Sequence, residues 1–230
     1  MQPARGKISV IIPALDEAER IALALASIGA SPDVERIVVD GGSRDRTAEI
    51  ARSCGAEVLL SLPGRAIQMN AGARVATGDY LLFLHADTTL LPAFDAVVRR
   101  ILELPGVVAG AFQLRINSSR RSLRWVEKAA NWRARVLRMP YGDQGLFLKA
   151  SRFRDLGGFR EIPLLEDVEF VRRLRRCGEI AIAPAAAVTS ARRWERRGVF
   201  TVTLWNQVFL LAYFLGVPPA RIAQWYYRRS

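Results

Sequence analysis

The sequence predicts an α/β protein: a mostly parallel sheet with helices on both faces, followed by a C-terminal apolar helical appendage. Three observations point there. Short apolar runs beginning at Ile8, Ile37, Glu57 and Tyr80 alternate with helical stretches at the spacing of βαβ units. Three polar clusters, Ala14 to Glu17, Asp40 to Asp45 and His85 to Thr88, each follow one of those runs, and open α/β sheets bind ligands at the carboxyl ends of their strands. Finally, Val199 to Ala220 contains no charged residue.

In chain order, Ile8-Ser9-Val10-Ile11-Ile12 reads as a buried strand stopped by Pro13. Asp16 and Glu17 open an amphipathic helix with Ile21, Leu25 and Ile28 on one face, and acids suit its positive end. Ile37-Val38-Val39 is the second strand, Thr47 to Cys54 a helix, and Glu57 to Leu60 the third strand. Gly64-Arg65 leads into a helix through Met69 and Val75, and Gly78 ends it before the strand at Tyr80. The second half is less regular: a helix from Pro92 to Leu102, a strand from Val107 to Ile116, and a basic helical stretch from Ser118 to Arg138. Trp125 and Trp132 lie seven residues apart in that stretch and share a face. Leu164-Leu165-Glu166-Asp167 starts a helix to about Cys177, and Val188 to Trp194 forms a last strand.

A chain of 230 residues suits one domain, expected over residues 1–197, with an appendage over 198–230. The net charge of +12 favours anionic partners. Nucleic acid is set aside because no groove-reading motif is present. Cys54 and Cys177 match no metal or redox spacing, and Met1 to Gly6 has no apolar core of a signal peptide, so a cytoplasmic protein is expected. Val199 to Ala220 approaches the ~20 apolar residues that span a bilayer. Thr201, Thr203, Asn206 and Gln207 interrupt it, however, and arginines flank both ends. Its aromatic side chains leave three readings open: a helix packed on the domain, a homo-oligomer contact, or peripheral attachment to the inner face of the membrane.

The chemistry starts at Leu84-His85-Ala86-Asp87-Thr88. In extended backbone His85 and Asp87 project to one side, so an imidazole and a carboxylate can enter one cleft. There the carboxylate oxygen suits a hard divalent cation such as Mg2+ or Mn2+, which can hold a diphosphate. The competing reading is a turn histidine and a cap for the helix that begins at Pro92. At Asp40-Gly41-Gly42-Ser43, an acid followed by two glycines lets backbone approach a base or ribose, or else makes a tight βα turn capped by Ser43 or Asp45.

Together, Ser9-Val10-Ile11-Ile12-Pro13-Ala14-Leu15-Asp16-Glu17, Val39-Asp40-Gly41-Gly42-Ser43-Arg44-Asp45-Arg46-Thr47 and His85-Ala86-Asp87 resemble a family 2 glycosyltransferase. The resemblance implies a GT-A-like fold, a mostly parallel mixed sheet flanked by helices. It also implies that Pro13, Leu15, Glu17, Asp40 and Gly41 line a uridine pocket, with Arg65, Asn70 and Gly72 near the base or diphosphate. Asp87 would hold Mg2+ or Mn2+, with His85, which replaces the usual first acid of Asp-X-Asp, beside it. Asp167 would be the general base, Asp143, Gln144 and Glu166 would shape the acceptor side, and Trp194 with Arg192 or Arg193 would lie near the leaving diphosphate. Ser190 stands where processive synthases carry glutamine, so a long polymer product is not expected.

Gly64 to Gly72, Leu84 to Thr88, Tyr141 to Gly145 and Arg192 to Gly198 also resemble a small bacterial subgroup. That subgroup is associated with radical-SAM and selenium-related gene neighbourhoods and linked with arsenosugar biosynthesis. The expectation is therefore a metal-dependent inverting transferase, moving one sugar from a UDP-linked donor to a small or lipid-like acceptor. The alternative is a non-catalytic nucleotide-binding or membrane-docking module that keeps the fold.

Overall fold

The computed structural model describes residues 6–227, so Met1 to Arg5, read as lacking a signal peptide, lie outside the described residues. Strands β1 (Ile8–Ala14), β2 (Val34–Asp40), β3 (Glu57–Leu60) and β4 (Tyr80–Phe83) pair in parallel. Helices α1 (Ile21–Ile28), α2 (Thr47–Ser53) and α3 (Arg65–Val75) make the crossovers that parallel neighbours require. β1 is buried at all seven positions and separates two cores. Ile8, Val10 and Ile12 pack with Ile21 and Leu25 of α1, whereas Ile11 packs with Ala66 and Met69 of α3. That is period-two alternation in a strand covered on both faces.

The second half adds β5 (Thr88–Leu90), α4 (Phe94–Leu102), β6 (Val107–Asn117), α5 (Arg121–Val136), β7 (Leu146–Lys149), α6 (Ala150–Asp155), α7 (Glu166–Leu174) and β8 (Glu179–Ser190). Three helices, α8 (Arg192–Arg197), α9 (Val199–Phe214) and α10 (Pro219–Tyr227), follow. The sheet runs β3-β2-β1-β4-β7-β6-β8-β5. β7 is antiparallel to β4 and β6, β6 is parallel to β8, and β5 is antiparallel to β8. The parallel half is thus the first half, and the sheet as a whole is mixed.

Several elements differ from expectation. The last strand begins at Glu179, not Val188, and the Arg192–Arg197 segment is helical. Ala181 to Ala187 is alanine-rich and contains Pro184, a weak strand signal; pairing with β6 from Val107 to Asn117 imposes the strand instead. The short β5 was also unread, and it lies between Asp87 and α4. Asp87 is therefore seven residues from the first residue of α4, which excludes the capping reading.

The C-terminal helices pack onto the domain. Val202 of α9 and Trp194 of α8 share a small core with Leu123 and Ala130 of α5 and Ile116 of β6. Ile222 and Ala223 of α10 are buried, and Tyr226 meets Phe209 of α9 edge-on at 5.9 Å. Among the described residues, no helix is long and apolar enough to cross a membrane.

Candidate active site

The loops that leave β1 and β2 are tied together by short polar side chains. The Asp16 amide donates to Ser43 Oγ at 3.0 Å, and the Arg44 amide donates back to Asp16 Oδ1 at 2.8 Å. The Glu17 amide donates to Thr47 Oγ1 at 2.8 Å, and Asp45 accepts the amides of Ala18 and Thr47. Gln68 fastens the strand ends themselves, its Nε2 donating to the carbonyls of Ala14 and Val39 at 2.8 Å each. These bonds satisfy backbone groups that the strand ends would leave bare. They hold Pro13, Leu15 and Glu17 on the rim of a cleft of about 1000 Å³.

His85 and Asp87 leave β4 into the same cleft. Opposite them, Leu165 adopts a left-handed backbone (φ 66°) and sets Glu166 and Asp167 in the first turn of α7, where the helix dipole favours carboxylates. Asp167 Oδ2 accepts the Gly142 amide at 2.6 Å, and Oδ1 accepts the Val168 amide at 2.7 Å. Gly142 marks where the two sides meet. A Cβ there would lie 3.0 Å from His85 Nε2 and 3.2 Å from Asp167 Oδ2. A side chain there would crowd both groups, so glycine lets the loop close on them.

Charge is concentrated here. Burial, with the charge of Arg65 adding to it, pushes the His85 imidazole down to about 3, so it is neutral at pH 7. Burial pushes the Asp143 carboxyl up to about 6; Arg133 opposes this, and Asp167 and Asp87 add to it. Glu166 is raised by burial first and by Asp167 second, against Arg65. Clustered perturbed groups in a cleft are a mark of functional sites. Glu17 Oε2, Asp143 Oδ1 and Trp194 Nε1 are also buried without a hydrogen-bond partner within the chain, and native proteins leave few such atoms.

The remaining wall comes from the C-terminal helices. Arg192 Nη2 pairs with Glu17 Oε1 at 2.7 Å, joining α8 to the end of β1. Arg193 donates to Asn206 Oδ1 at 3.2 Å and lies 5.0 Å from the centre of the Tyr226 ring. Phe209, Leu210 and Tyr226 complete the lining.

Among the residues expected at a site, Pro13, Leu15, Glu17, Arg65, His85, Asp87, Asp143, Glu166, Asp167, Arg193 and Trp194 line this one cleft. Five do not. Asp40 is buried and accepts the Ser43 amide, holding the βα turn. Gly41 allows a close approach, but to the Gln68 side chain and Pro63. Asn70 is bound both ways to the Phe159 backbone, at 2.8 and 2.9 Å. Gly72 lets α3 sit on β1, since a Cβ would meet Ile11 Cγ2 at 2.5 Å. Gln144 is fully buried and braces its own loop, donating to the Phe112 carbonyl and accepting from Arg133 and the Tyr141 amide. Sequence reasoning missed Gln68, Gly142, Asn206 and Tyr226. Only Gly142 had a local signal, the glycine-flanked polar loop around it.

Among the described residues, no three His, Cys, Asp or Glu side chains gather as a metal-binding group. The chain offers the Asp87 carboxylate and the neutral His85 imidazole. The carboxylate oxygen suits Mg2+ or Mn2+ and a neutral imidazole can ligate Mn2+, so the pair fits a cation that takes its other ligands from a diphosphate and water.

The family model described as Glycosyl transferase family 2 matches residues 9–160. A 4,4'-diaponeurosporenoate glycosyltransferase of Staphylococcus haemolyticus is 41% identical over 92 residues, 36% of this chain and 24% of that protein. A PGL/p-HBAD biosynthesis glycosyltransferase of Mycobacterium bovis is 38% identical over 100 residues, 40% of this chain and 39% of that protein. The chain thus matches well under half the length of either curated relative. Among solved structures, S. aureus TarS 1-349 in complex with UDP-GlcNAc superposes with a TM-score of 0.65 at 16% identity, covering 80% of this chain and 58% of that one. The mannosyltransferase PcManGT of Pyrobaculum calidifontis, in complex with GDP-Man and Mn2+, gives 0.59 at 21% identity, covering 81% and 56%. At these identities the likeness establishes the fold, which is GT-A.

Proposed function

The chain belongs to glycosyl transferase family 2, and from that membership we propose that it moves a single sugar, with inversion, from a UDP-linked donor to the hydroxyl of a small or lipid-like acceptor. The observation that carries this reading is the meeting of His85 and Asp167 around Gly142, with Asp87 in the same cleft. The donor's uridine rests against Pro13, Leu15 and Glu17, and its diphosphate faces Arg65, Arg193 and Trp194. Asp167 takes the acceptor proton as the acceptor oxygen bonds to the anomeric carbon and the bond to the diphosphate breaks. The two backbone amides on Asp167 fix its direction of approach. A base on one face and a departing diphosphate on the other give one displacement and hence inversion. Asp87, with His85, would hold Mg2+ or Mn2+, which would offset charge on the leaving diphosphate. Asp143 and Glu166 flank the acceptor, and their carboxyls, both raised by burial, are placed to hydrogen-bond its other hydroxyls.

The neighbours bound to UDP-GlcNAc and to GDP-Man support a nucleotide-sugar donor. Residues 1–197 are proposed as the transferase domain and 198–230 as an appendage that walls its cleft. The narrower likeness to transferases linked with arsenosugar biosynthesis rests on motifs alone and names one acceptor class to try. The test is NMR of the product from a UDP-sugar of defined anomeric configuration. An inverted product with release of UDP supports the reading, and a retained one sinks it.

A further inference from the structure

α5 and α9 are neighbours that contribute Leu123, Ala130 and Val202 to one small core, and each turns a distinctive face to solvent. On α9, Phe200, Leu204, Val208 and Leu211, continued by Leu215 just beyond the helix, recur every three or four residues and form one stripe. Their exposures are 77, 47, 37, 61 and 75%. The buried residues of the helix, Val202, Phe209 and Leu210, lie on its other side. α9 has no charged residue to relieve this stripe. On α5 the exposed positions include Arg121, Trp125, Lys128, Trp132, Arg135 and Val136, again one stripe. Trp125 and Trp132 are 72 and 60% exposed, and Lys128 Nζ lies 5.0 Å from the Trp125 ring centre. The one acid of α5, Glu127, is turned inward onto the Ile116 amide.

An apolar ridge bordered by arginines, a lysine and two tryptophans, with hardly a carboxylate among them, is complementary to one kind of surface. Apolar side chains enter the acyl boundary, tryptophan rings sit at headgroup depth, and cations meet anionic headgroups. We propose that the paired outer faces of α5 and α9 dock this protein on an anionic lipid bilayer. The helix lies in the interface and does not cross it, since its sixteen residues rise about 24 Å against a hydrocarbon core of about 30 Å. A protein partner for this face would need carboxylates to match its cations, and a second copy would bring like charge against like. The stripe residues are absent from the cleft lining, so docking can be measured apart from transfer.

The experiment is co-sedimentation of the full chain with vesicles of phosphatidylcholine alone and of phosphatidylcholine with one quarter phosphatidylglycerol. Leu204→Glu/Leu211→Glu and Trp125→Ala/Trp132→Ala are compared with wild type, thermal melts confirming folding. Wild type should partition to the anionic vesicles and be released by high salt. Each double variant should bind at least about tenfold more weakly, as expected when more than one large apolar side chain leaves the acyl boundary. Equal binding by the variants, or no binding to anionic vesicles, overturns the proposal. So does a stable dimer in light scattering that Leu204→Glu/Leu211→Glu dissociates, because the face is then a self-interface.

Discussion

The two halves of the sheet reach the same cleft by different routes. In the first, β1, β2 and β4 are parallel neighbours, so their carboxyl ends lie side by side and whatever follows them must converge. In the second, β6, β7 and β8 mix directions, and the groups facing the cleft come from a turn at Gly142, from the start of α7 and from helices after the last strand. The first half therefore builds a surface from contiguous motifs. The second assembles one from residues brought together only by packing. On the proposed reading the first half holds the uridine and the metal side of the donor, and the second supplies the base, the acceptor wall, and Arg193 and Trp194 beside the diphosphate.

That division can be broken by substitution, beginning with the largest effect. Asp167→Asn should abolish transfer, a loss of about a thousandfold or more, while donor binding by calorimetry stays close to wild type. If donor affinity falls with it, the halves do not divide the work as described. Gly142→Ala is the next sharpest probe, since its Cβ presses on His85 and Asp167 together. Turnover should drop about ten- to a hundredfold with little change in melting temperature. A variant as active as wild type would show that this space is not used.

Glu17→Gln tests the one ion pair found between the halves at the cleft among the described residues. Its partner Arg192 and Glu17 itself are both part-buried, so the loss should be about 1 kcal/mol. A double-mutant cycle with Arg192→Gln should recover most of it as coupling. Additive effects would mean the halves are joined elsewhere. The smallest effect is a pH effect. Asp143 has its carboxyl raised on folding, so it favours the folded state at low pH and loses that contribution as pH rises through about 6. Asp143→Asn should therefore raise the melting temperature by a few degrees at pH 8 and leave it nearly unchanged at pH 4. The opposite order would mean that the carboxylate has a stabilising partner.

The same contrast explains what was legible in the sequence. β1 to β4 could be read because their apolar runs are short, β-branched in β1 and β2, and followed closely by polar residues or proline. The polar ends at Glu17, His85 and Asp87 are local features of those runs. β8 was misplaced because its alanine-rich run says little about strand, and partner β6 decides it. Asn70, Gly72 and Gln144 lie inside recognisable motifs, yet their side chains or lack of one serve packing and loop bracing. A motif reports that a position is constrained, and only geometry tells whether ligand or fold constrains it. The Glu17 to Arg192 pair joins residues 175 positions apart and leaves no local trace.

The central claim, that the cleft takes a metal-bridged nucleotide diphosphate on Asp87, is tested most directly by thermal shift. Wild type and Asp87→Ala are melted with UDP, GDP and ADP, each with and without Mn2+. Stabilisation of wild type by UDP together with Mn2+, absent in Asp87→Ala, is the predicted result. A shift that survives Asp87→Ala unchanged, or no shift with any nucleotide, would contradict it.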